Sequence, residues 1–241
     1  MNREKKILIL GASSEIGIEL INKIQHEYTK ILAHFATDDS KLRNIHSYFG
    51  DKIELIKADL SNKEELKRLI DLLSEVDLDD VVICNSKRIS LINFHKESIN
   101  EYKQRFDISV FPVIEILSNV IKKMAKNKKG KIIFILSSVT LGIPPKFQTA
   151  YITEKYALLG IMKSLSNEYA DKKICINAIS PDMIDTKFLS NIPEIIREQN
   201  AIKSPLKRNL TVSEVVPILK FLLSEEGNSI TGQNIVINYG K

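Results

Sequence analysis

Tyr151 and Lys155 are the two residues whose types and spacing most directly suggest chemistry. Four positions apart in a helix, they lie on the same helix face. A phenol is a weak acid, but a neighbouring ammonium stabilises the phenolate and makes the phenol a usable proton donor or acceptor near neutral pH. The pair therefore predicts a general acid and base for proton transfer.

The same spacing occurs at two other places, which shows that the pattern alone is weak. Tyr48 is followed by Lys52, and Tyr169 by Lys173. The first pair spans Gly50 and is expected in a loop, whereas Tyr169 is expected to close a helix as an ordinary amphipathic residue. Further residues must therefore distinguish Tyr151 from these two tyrosines.

Ser138 supplies that distinction, since it ends a strongly apolar run and precedes Tyr151 by thirteen positions. A hydroxyl at the end of a central strand could hydrogen-bond a substrate carbonyl and polarise it. Taken alone, Ser137 and Ser138 could equally begin a turn. Combined with Tyr151 and Lys155, Ser138 is predicted to be a third catalytic residue.

A glycine-bearing segment, Gly11-Ala12-Ser13-Ser14-Glu15-Ile16-Gly17, joins the first apolar run to the first helical pattern. Such a turn directs free N–H groups and the positive helix end at a pyrophosphate, which predicts dinucleotide binding. A plain strand-to-helix turn remains an alternative. The Glu15 carboxylate would repel a pyrophosphate unless it points to solvent or meets a cation.

The end of the second apolar run bears on which dinucleotide binds. Phe35 stands where an acid would bind the ribose hydroxyl of NAD, and neither Ala36 nor Ser14 is a basic residue that could accept the 2′-phosphate of NADP. Without an acid to repel a phosphate, we favour NADP slightly over NAD, with Thr37 and Ser40 as contacts. Asp38 would favour NAD instead.

Short apolar runs alternate with longer segments of helical periodicity. Runs this short and apolar are typical of strands buried on both faces. The predicted strands are Ile7 to Leu10, Lys30 to Phe35, Ile53 to Lys57, Val81 to Cys84, Ile132 to Leu136, Ile174 to Ala178 and Asn234 to Ile237. The predicted helices are Glu15 to Tyr28, Lys63 to Ser74, Asn100 to Lys126, Tyr151 to Ala170 and Val212 to Leu223.

Strand followed by helix, repeated along the chain, predicts an α/β fold. We expect a Rossmann-type, doubly wound, mainly parallel seven-stranded sheet with helices on both faces, forming one domain over residues 1–241. Ser61 with Glu64, and Thr211 with Glu214, predict capping boxes at two helix starts. In such sheets the ligand crevice lies beyond the carboxyl ends of the strands.

Composition narrows the class of protein. The 35 basic and 30 acidic residues give a net charge of +5, which is mild for 241 residues, so nucleic-acid binding is not expected. No apolar run is long enough for a membrane span or a signal peptide. Cys84 and Cys175 lie in apolar runs and are expected to be reduced thiols without metal-binding spacing. A cytoplasmic protein without a metal follows.

These motifs together resemble the short-chain dehydrogenase/reductase family, most nearly its 3-oxoacyl-[acyl-carrier-protein] reductases, from Lys6 to Gly240. Two further segments, Asn177 to Thr186 and Ile230 to Gln233, add to the likeness. The resemblance implies an NAD(P)(H)-dependent oxidoreductase that interconverts a carbonyl and an alcohol. It places Ser109 where the family has a catalytic Asn that helps hold a water next to the lysine.

The resemblance also implies a set of cofactor contacts. They are Gly11, Ser13, Ser14, Glu15, Ile16, Gly17, Thr37, Asp59, Leu60, Asn85, Tyr151, Lys155, Pro181, Ile184 and Thr186. It implies a substrate loop at about 183–208 and a homo-oligomer, tetramer or dimer, that packs through the predicted helices Asn100 to Lys126 and Tyr151 to Ala170.

Basic residues near the expected substrate side suggest an anionic substrate, such as an acyl carrier thioester or a phosphorylated or nucleotide-linked sugar. They are Lys87, Arg88, Lys187, Arg197, Lys203, Lys207 and Arg208. Glu15, Lys87, Ser109 and Asp182 depart from the family pattern. A catalytically weak dinucleotide sensor or scaffold is therefore the alternative to an enzyme.

Overall fold

A computed structural model describes residues 4–38 and 40–241. Its strands are β1 (Lys6–Leu10), β2 (Lys30–Phe35), β3 (Ile53–Lys57), β4 (Asp80–Ile83), β5 (Gly130–Ile135), β6 (Ile174–Pro181) and β7 (Asn234–Ile237). Its helices are α1 (Glu15–Ile24), α2 (Ser40–Phe49), α3 (Lys63–Ser74), α4 (Ile99–Ser109), α5 (Phe111–Asn127), α6 (Thr149–Glu168), α7 (Glu194–Lys203) and α8 (Val212–Leu223).

The strands form one sheet in the order β3-β2-β1-β4-β5-β6-β7, and every pairing is parallel. One hydrophobic core lies between the sheet and α3, α5 and α6, and a second lies between the sheet and α1, α2 and α8. The predicted doubly wound, seven-stranded fold is confirmed. From β1 the chain adds β2 and β3 on one side of the sheet and then β4 to β7 on the other. A ligand crevice is expected between β1 and β4, where this change of direction occurs.

The predicted helix Asn100 to Lys126 is wrong, because the chain forms two helices that break at Val110. Pro112 lies in the first turn of α5, where its missing N–H costs nothing, whereas inside a continuous helix it would remove a hydrogen bond. Two helices, α2 and α7, were not expected. Their apolar faces are weak, since α2 buries only Leu42 and Ile45 and α7 buries no residue fully.

Of the two predicted capping boxes, the one at Thr211 is confirmed and the one at Ser61 is wrong. Asn62 caps α3 instead, because its side chain accepts hydrogen bonds from the backbone N–H groups of Glu64 and Glu65. The Ser61 hydroxyl donates to Asp59 Oδ1 at 2.7 Å and is not available as a cap.

Other element ends shift by a few residues. α1 ends at Ile24 rather than Tyr28, and α6 begins two residues before Tyr151. Tyr48 lies on α2 rather than in a loop. Both cysteines are free thiols. Within the described part of the chain, no helix combines the length and the apolar character that crossing a membrane requires.

Candidate active site

A cleft of about 1070 Å³ opens at the carboxyl ends of the strands. Most residues that the sequence assigned to cofactor or catalysis line it: Gly11, Ser13, Ser14, Glu15, Ile16, Thr37, Asp59, Leu60, Asn85, Ser138, Tyr151, Lys155, Pro181, Ile184 and Thr186. Gly17 and Ser109 are not lining residues. Gly17 lies inside the turn, and Ser109 is fully buried at the end of α4.

The turn after β1 needs both of its glycines. Gly11 has φ +73°, and a Cβ there would lie 2.8 Å from the backbone nitrogen of Asn85 at the end of β4. A Cβ on Gly17 would lie 2.6 Å from the carbonyl oxygen of Ala12. The Ser14 hydroxyl caps α1 by accepting from the Gly17 N–H at 3.1 Å. The turn thus brings the N-terminus of α1 to the cleft, as an anion site requires.

His34, at the end of β2, supports this turn and was missed from the sequence. Its Nδ1 accepts a hydrogen bond from the Gly11 N–H at 3.2 Å, and its Nε2 lies 2.9 Å from the Ala58 carbonyl oxygen. Burial lowers the pKa of His34, against smaller opposing effects of Ala58 and Asp59. The ring is therefore neutral, with Nδ1 as acceptor and Nε2 as donor. A histidine inside an otherwise apolar strand was the available signal.

Because the folded-state pKa of His34 is lowered, stability should fall with acidification. Below about pH 6.5 the unfolded chain binds a proton that the folded chain excludes, which favours unfolding by up to about 1.4 kcal/mol per pH unit. We expect the free energy of unfolding, measured by urea titration, to fall less steeply in His34→Gln, whose amide can still accept and donate. Parallel pH profiles for the two proteins would contradict this role.

Tyr151 and Lys155 lie in the first turns of α6 and are almost fully buried, while Ser138 starts the turn after β5. Lys155 Nζ donates to the carbonyl oxygen of Ile135 at 3.3 Å and lies 5.6 Å from the centre of the Tyr151 ring. On the loop side, the ring of Phe188 packs against Tyr151 with centroids 6.4 Å apart. The three side chains thus face one cleft with a cation held next to the phenol.

Glu15 lines the cleft, and both of its carboxylate oxygens have partners within the protein. Its Oε2 accepts a hydrogen bond from the backbone N–H of Lys187 at 2.7 Å, and its Oε1 lies 3.8 Å from Lys41 Nζ. The carboxylate therefore meets a cation. Contact with a cation, like exposure to solvent, reduces the repulsion that an acid in this turn would exert on a pyrophosphate. The hydrogen bond from Lys187 also connects α1 to residues 183–208.

Asp182, at the family's Gly position, contacts the serine. Ser138 Oγ donates to Asp182 Oδ1 at 3.3 Å, and the same carboxylate pairs with Lys241 Nζ at 2.8 Å. The sequence showed that Asp182 departs from the family but not that it would meet Ser138. This contact depends on β5 and β6 being neighbours in the sheet.

The expectation that Lys87 faces an anionic substrate is wrong. Its Nζ binds Glu101 at 2.5 Å and Gln104 at 2.7 Å, and Lys87 does not line the cleft. Seven basic residues were expected near the substrate. Three of them line the cleft, namely Arg88, Lys187 and Lys203. Arg208 pairs with Glu214 at 2.7 Å instead.

A buried ion pair beneath the phenol was also missed. Glu154 is fully buried on α6, and its Oε2 lies 3.2 Å from Nη1 of Arg105, which is 1% exposed on α4. The guanidinium lies 5.6 Å from the centre of the Tyr151 ring. In the sequence, Glu154 is visible only as a charged residue directly before Lys155. Nothing near it in the sequence indicates that its partner, Arg105, lies about fifty positions earlier.

The doubly wound sheet, the glycine turn at its reversal point and the cleft beyond it define a Rossmann-type dinucleotide-binding domain. The residues present fit a nicotinamide dinucleotide, because Gly11 and Gly17 permit a tight turn after β1 and this turn brings the N-terminus of α1 to the cleft. Ser138, Tyr151 and Lys155 line that same cleft.

Residues 11–241 match a family described as Enoyl-(Acyl carrier protein) reductase. The chain is 31% identical to 3-oxoacyl-[acyl-carrier-protein] reductase FabG of Buchnera aphidicola subsp. Baizongia pistaciae, over 100% of this chain and 98% of that protein. It is 29% identical to Nodulation protein G of Rhizobium sp. (strain N33), over 98% and 96%. The chain belongs to the short-chain dehydrogenase/reductase family, whose members are NAD(P)-linked oxidoreductases.

Solved structures share the fold. A crystal structure of levodione reductase superposes with a TM-score of 0.88 at 20% identity, covering 99% of this chain and 98% of that one. A 4-hydroxyisoleucine dehydrogenase mutant complexed with NADH and succinate has the same TM-score at 24% identity, covering 98% of both chains. At such identities the likeness concerns the fold alone.

Proposed function

We propose that this chain is an NADP(H)-dependent reductase of 3-oxoacyl thioesters or similar anionic carbonyl compounds. Residues 1–241 would act as one dinucleotide-binding domain. One observation carries the proposal: Ser138, Tyr151 and Lys155 line the same cleft as the glycine turn. The similarity to 3-oxoacyl-[acyl-carrier-protein] reductases supports this substrate class.

The three side chains have separate roles in this proposal. Ser138 hydrogen-bonds the carbonyl oxygen, Tyr151 donates the proton that this oxygen gains, and the Lys155 ammonium stabilises the phenolate left behind. When bound, the dinucleotide supplies the hydride for reduction or accepts it in the reverse direction. Phe188 covers the Tyr151 ring from the loop side and helps to exclude water.

The preference for NADP rests on the adenosine end of the cleft. Thr37 and Lys41 line it, and buried Phe35 occupies the position of an acid that would repel a phosphate. Asp38 lines it too, but its carboxylate accepts from the Ser40 N–H at 3.0 Å at the start of α2. We therefore assign Lys41, which the sequence did not single out, as the cation for the 2′-phosphate.

Lys41→Ala should weaken NADPH binding by about ten- to a hundredfold and leave NADH binding nearly unchanged, because a hydrogen-bonded charge contributes roughly 1.5–3 kcal/mol. Fluorescence titration of both cofactors measures this difference. Lys23→Ala is the matched control, as it removes an exposed lysine of α1 that does not line the cleft. Equal losses for NADPH and NADH would contradict the assignment.

The substrate end of the cleft combines apolar and basic side chains. Leu141, Ile143 and Met183 offer apolar surface, and Arg88 and Lys203 offer positive charge. Such a surface suits an acyl chain attached to a phosphate-bearing carrier. Residues 183–208 contribute both kinds of side chain, which supports their proposed role as the substrate loop.

The proposed assembly is a homotetramer or homodimer. Large apolar side chains are exposed on α4, α5 and α6, the helices through which the family resemblance implies packing. Ile99 is 69% exposed, Phe111 50%, and Ile114 and Tyr156 44% each. Covering them by a second copy would remove apolar area from water.

The substrate proposal is tested by following oxidation of NADPH with 3-oxoacyl carrier thioesters, sugar phosphates, nucleotide-linked sugars and neutral ketones. We expect turnover with thioesters and little with neutral ketones. Turnover restricted to neutral ketones would contradict the anionic class. Cofactor binding without turnover on the whole panel would favour a dinucleotide sensor, and no binding would favour a scaffold.

A further inference from the structure

A chain of polar groups leads from the catalytic lysine through the buried Glu154 to Ser86 at the wall of the cleft. Glu154 Oε2 pairs with Arg105 at 3.2 Å, while Oε1 accepts a hydrogen bond from Ser86 Oγ at 2.7 Å. Lys155 Nζ lies 3.5 Å from that same Oε1. Ser86 lines the cleft. One carboxylate oxygen therefore contacts both the ammonium and a hydroxyl that reaches the cleft.

The rest of the arrangement holds the carboxylate in place. Arg105 donates to the carbonyl oxygens of Lys87 at 3.0 Å and Arg88 at 2.6 Å, and its Nε pairs with Glu101 at 3.0 Å. A guanidinium anchored on three sides leaves Glu154 little freedom to turn. Two charges this deeply buried contribute little net stability compared with apolar residues, so their position next to Lys155 calls for another explanation.

Ser109 shows why a new route is needed. The family resemblance places a water-holding Asn at this position, and Ser109 has no side-chain amide. Its hydroxyl is fully buried and has no hydrogen-bond partner among residues 4–38 and 40–241. It is thus poorly suited to carry protons to Lys155, whereas Glu154 contacts both Lys155 and the Ser86 hydroxyl.

We propose that Glu154 and Ser86 form the proton relay that serves Lys155, in place of the family's Asn. The relay rests on the proposed function, since it has a purpose only if Tyr151 transfers protons. Glu154 is a positioning residue that acts through Lys155 and does not touch the substrate.

The relay balances in protons. In reduction, Tyr151 gives its phenolic proton to the substrate oxygen and recovers one from the Lys155 ammonium. The Glu154 carboxylate takes the proton of the Ser86 hydroxyl, which regains one from water in the cleft, and the carboxyl so formed passes its proton to the neutral amine and becomes a carboxylate again. One solvent proton is consumed per turnover, and each step breaks one O–H or N–H bond and forms another. Oxidation runs the same steps in reverse.

A purely structural role for Glu154 as counter-ion of Arg105 makes a different prediction. It would require the Arg105–Glu154 pair but not the Ser86 hydroxyl. Ser86→Ala removes the outer end of the relay and leaves the ion pair intact, which makes it the informative change. Ser86→Thr keeps a hydroxyl at the same place, and Ser118→Ala removes an exposed hydroxyl of α5 as the control.

We expect Ser86→Ala to lower kcat about tenfold, below the range for loss of the acid or base itself. The solvent deuterium isotope effect on kcat should rise, while the NADPH dissociation constant and Tm stay unchanged. Ser86→Thr should recover most of the rate, because it keeps a hydroxyl. Glu154→Asp should retain more activity than Glu154→Gln, and the two variants should bind NADPH equally well.

The outcomes separate the relay from the proposed function. Wild-type kcat and isotope effect in Ser86→Ala, with cofactor bound, would overturn the relay alone. Loss of activity in Ser86→Ala and Ser86→Thr together with a lowered Tm would assign Ser86 to packing, which also overturns the relay. Absence of turnover in the wild-type chain would overturn the proposed function and the relay with it.

Discussion

Replacing Tyr151 with Phe should lower kcat at least about a hundredfold, because loss of a general acid or base typically costs a factor of 10² to 10⁴. The phenolic hydroxyl is the only group removed, and the ring is buried against Phe188. Phe fills the same volume, so the fold and Tm should persist. NADPH affinity should change by no more than about twofold, since Lys155 keeps its place beside the ring.

Tyr48→Phe and Tyr169→Phe are matched controls, because each removes the same hydroxyl from a tyrosine that is followed by lysine four positions later. Tyr48 is 84% exposed on α2, and Tyr169 closes α6. Steady-state kinetics of the three variants should show a loss only for Tyr151→Phe. Retained turnover in that variant would remove Tyr151 from the chemistry.

Replacing Gly11 with Ala should have the largest effect on the cofactor end. The left-handed φ of +73° costs an L-residue about 1–2 kcal/mol, and a Cβ 2.8 Å from the Asn85 nitrogen forces β1 and β4 to shift. We expect the free energy of unfolding to fall by about 2–4 kcal/mol and NADPH binding to weaken at least tenfold.

Gly160→Ala is the control for this change. Gly160 lies within α6, and a Cβ there would meet no atom within 4 Å. Removing a helical glycine should stabilise the protein by about 0.5–1 kcal/mol and leave cofactor binding unchanged. Urea titration and fluorescence titration measure both quantities. Unaltered NADPH affinity in Gly11→Ala would contradict the role of this turn.

The order of strands and helices could be predicted because each buried strand is a short apolar run with little alternation. α2 and α7 could not, because their few apolar positions give no clear helical period. The break at Val110 was missed for a different reason. The apolar spacing continues from α4 into α5, and only Pro112 marks the interruption.

Ser138, Tyr151 and Lys155 could be brought together from the sequence because the expected topology sends the end of β5 and the start of α6 to one crevice. The contacts that modify the site join segments far apart in the chain. His34 meets Gly11, Asp182 meets Ser138, and Arg105 meets Glu154 only after folding. No local pattern encodes these pairs.

The departure at Glu15 shows how such contacts change an interpretation. From the sequence, its carboxylate is a difficulty for pyrophosphate binding. In the structure, it accepts a hydrogen bond from Lys187 and pairs with Lys41, the cation that we assign to the 2′-phosphate. Glu15 would thereby connect the cofactor end of the cleft with residues 183–208.

Transfer of deuterium tests the central claim most directly. NADPH with deuterium in place of both hydrogens at the nicotinamide C4 is incubated with the wild-type chain and a 3-oxoacyl thioester, and the product is examined by mass spectrometry. The proposed function predicts one deuterium on the former carbonyl carbon with the wild-type chain, and almost none with Tyr151→Phe although NADPH is bound. Unlabelled substrate recovered from a wild-type chain saturated with NADPH would contradict it.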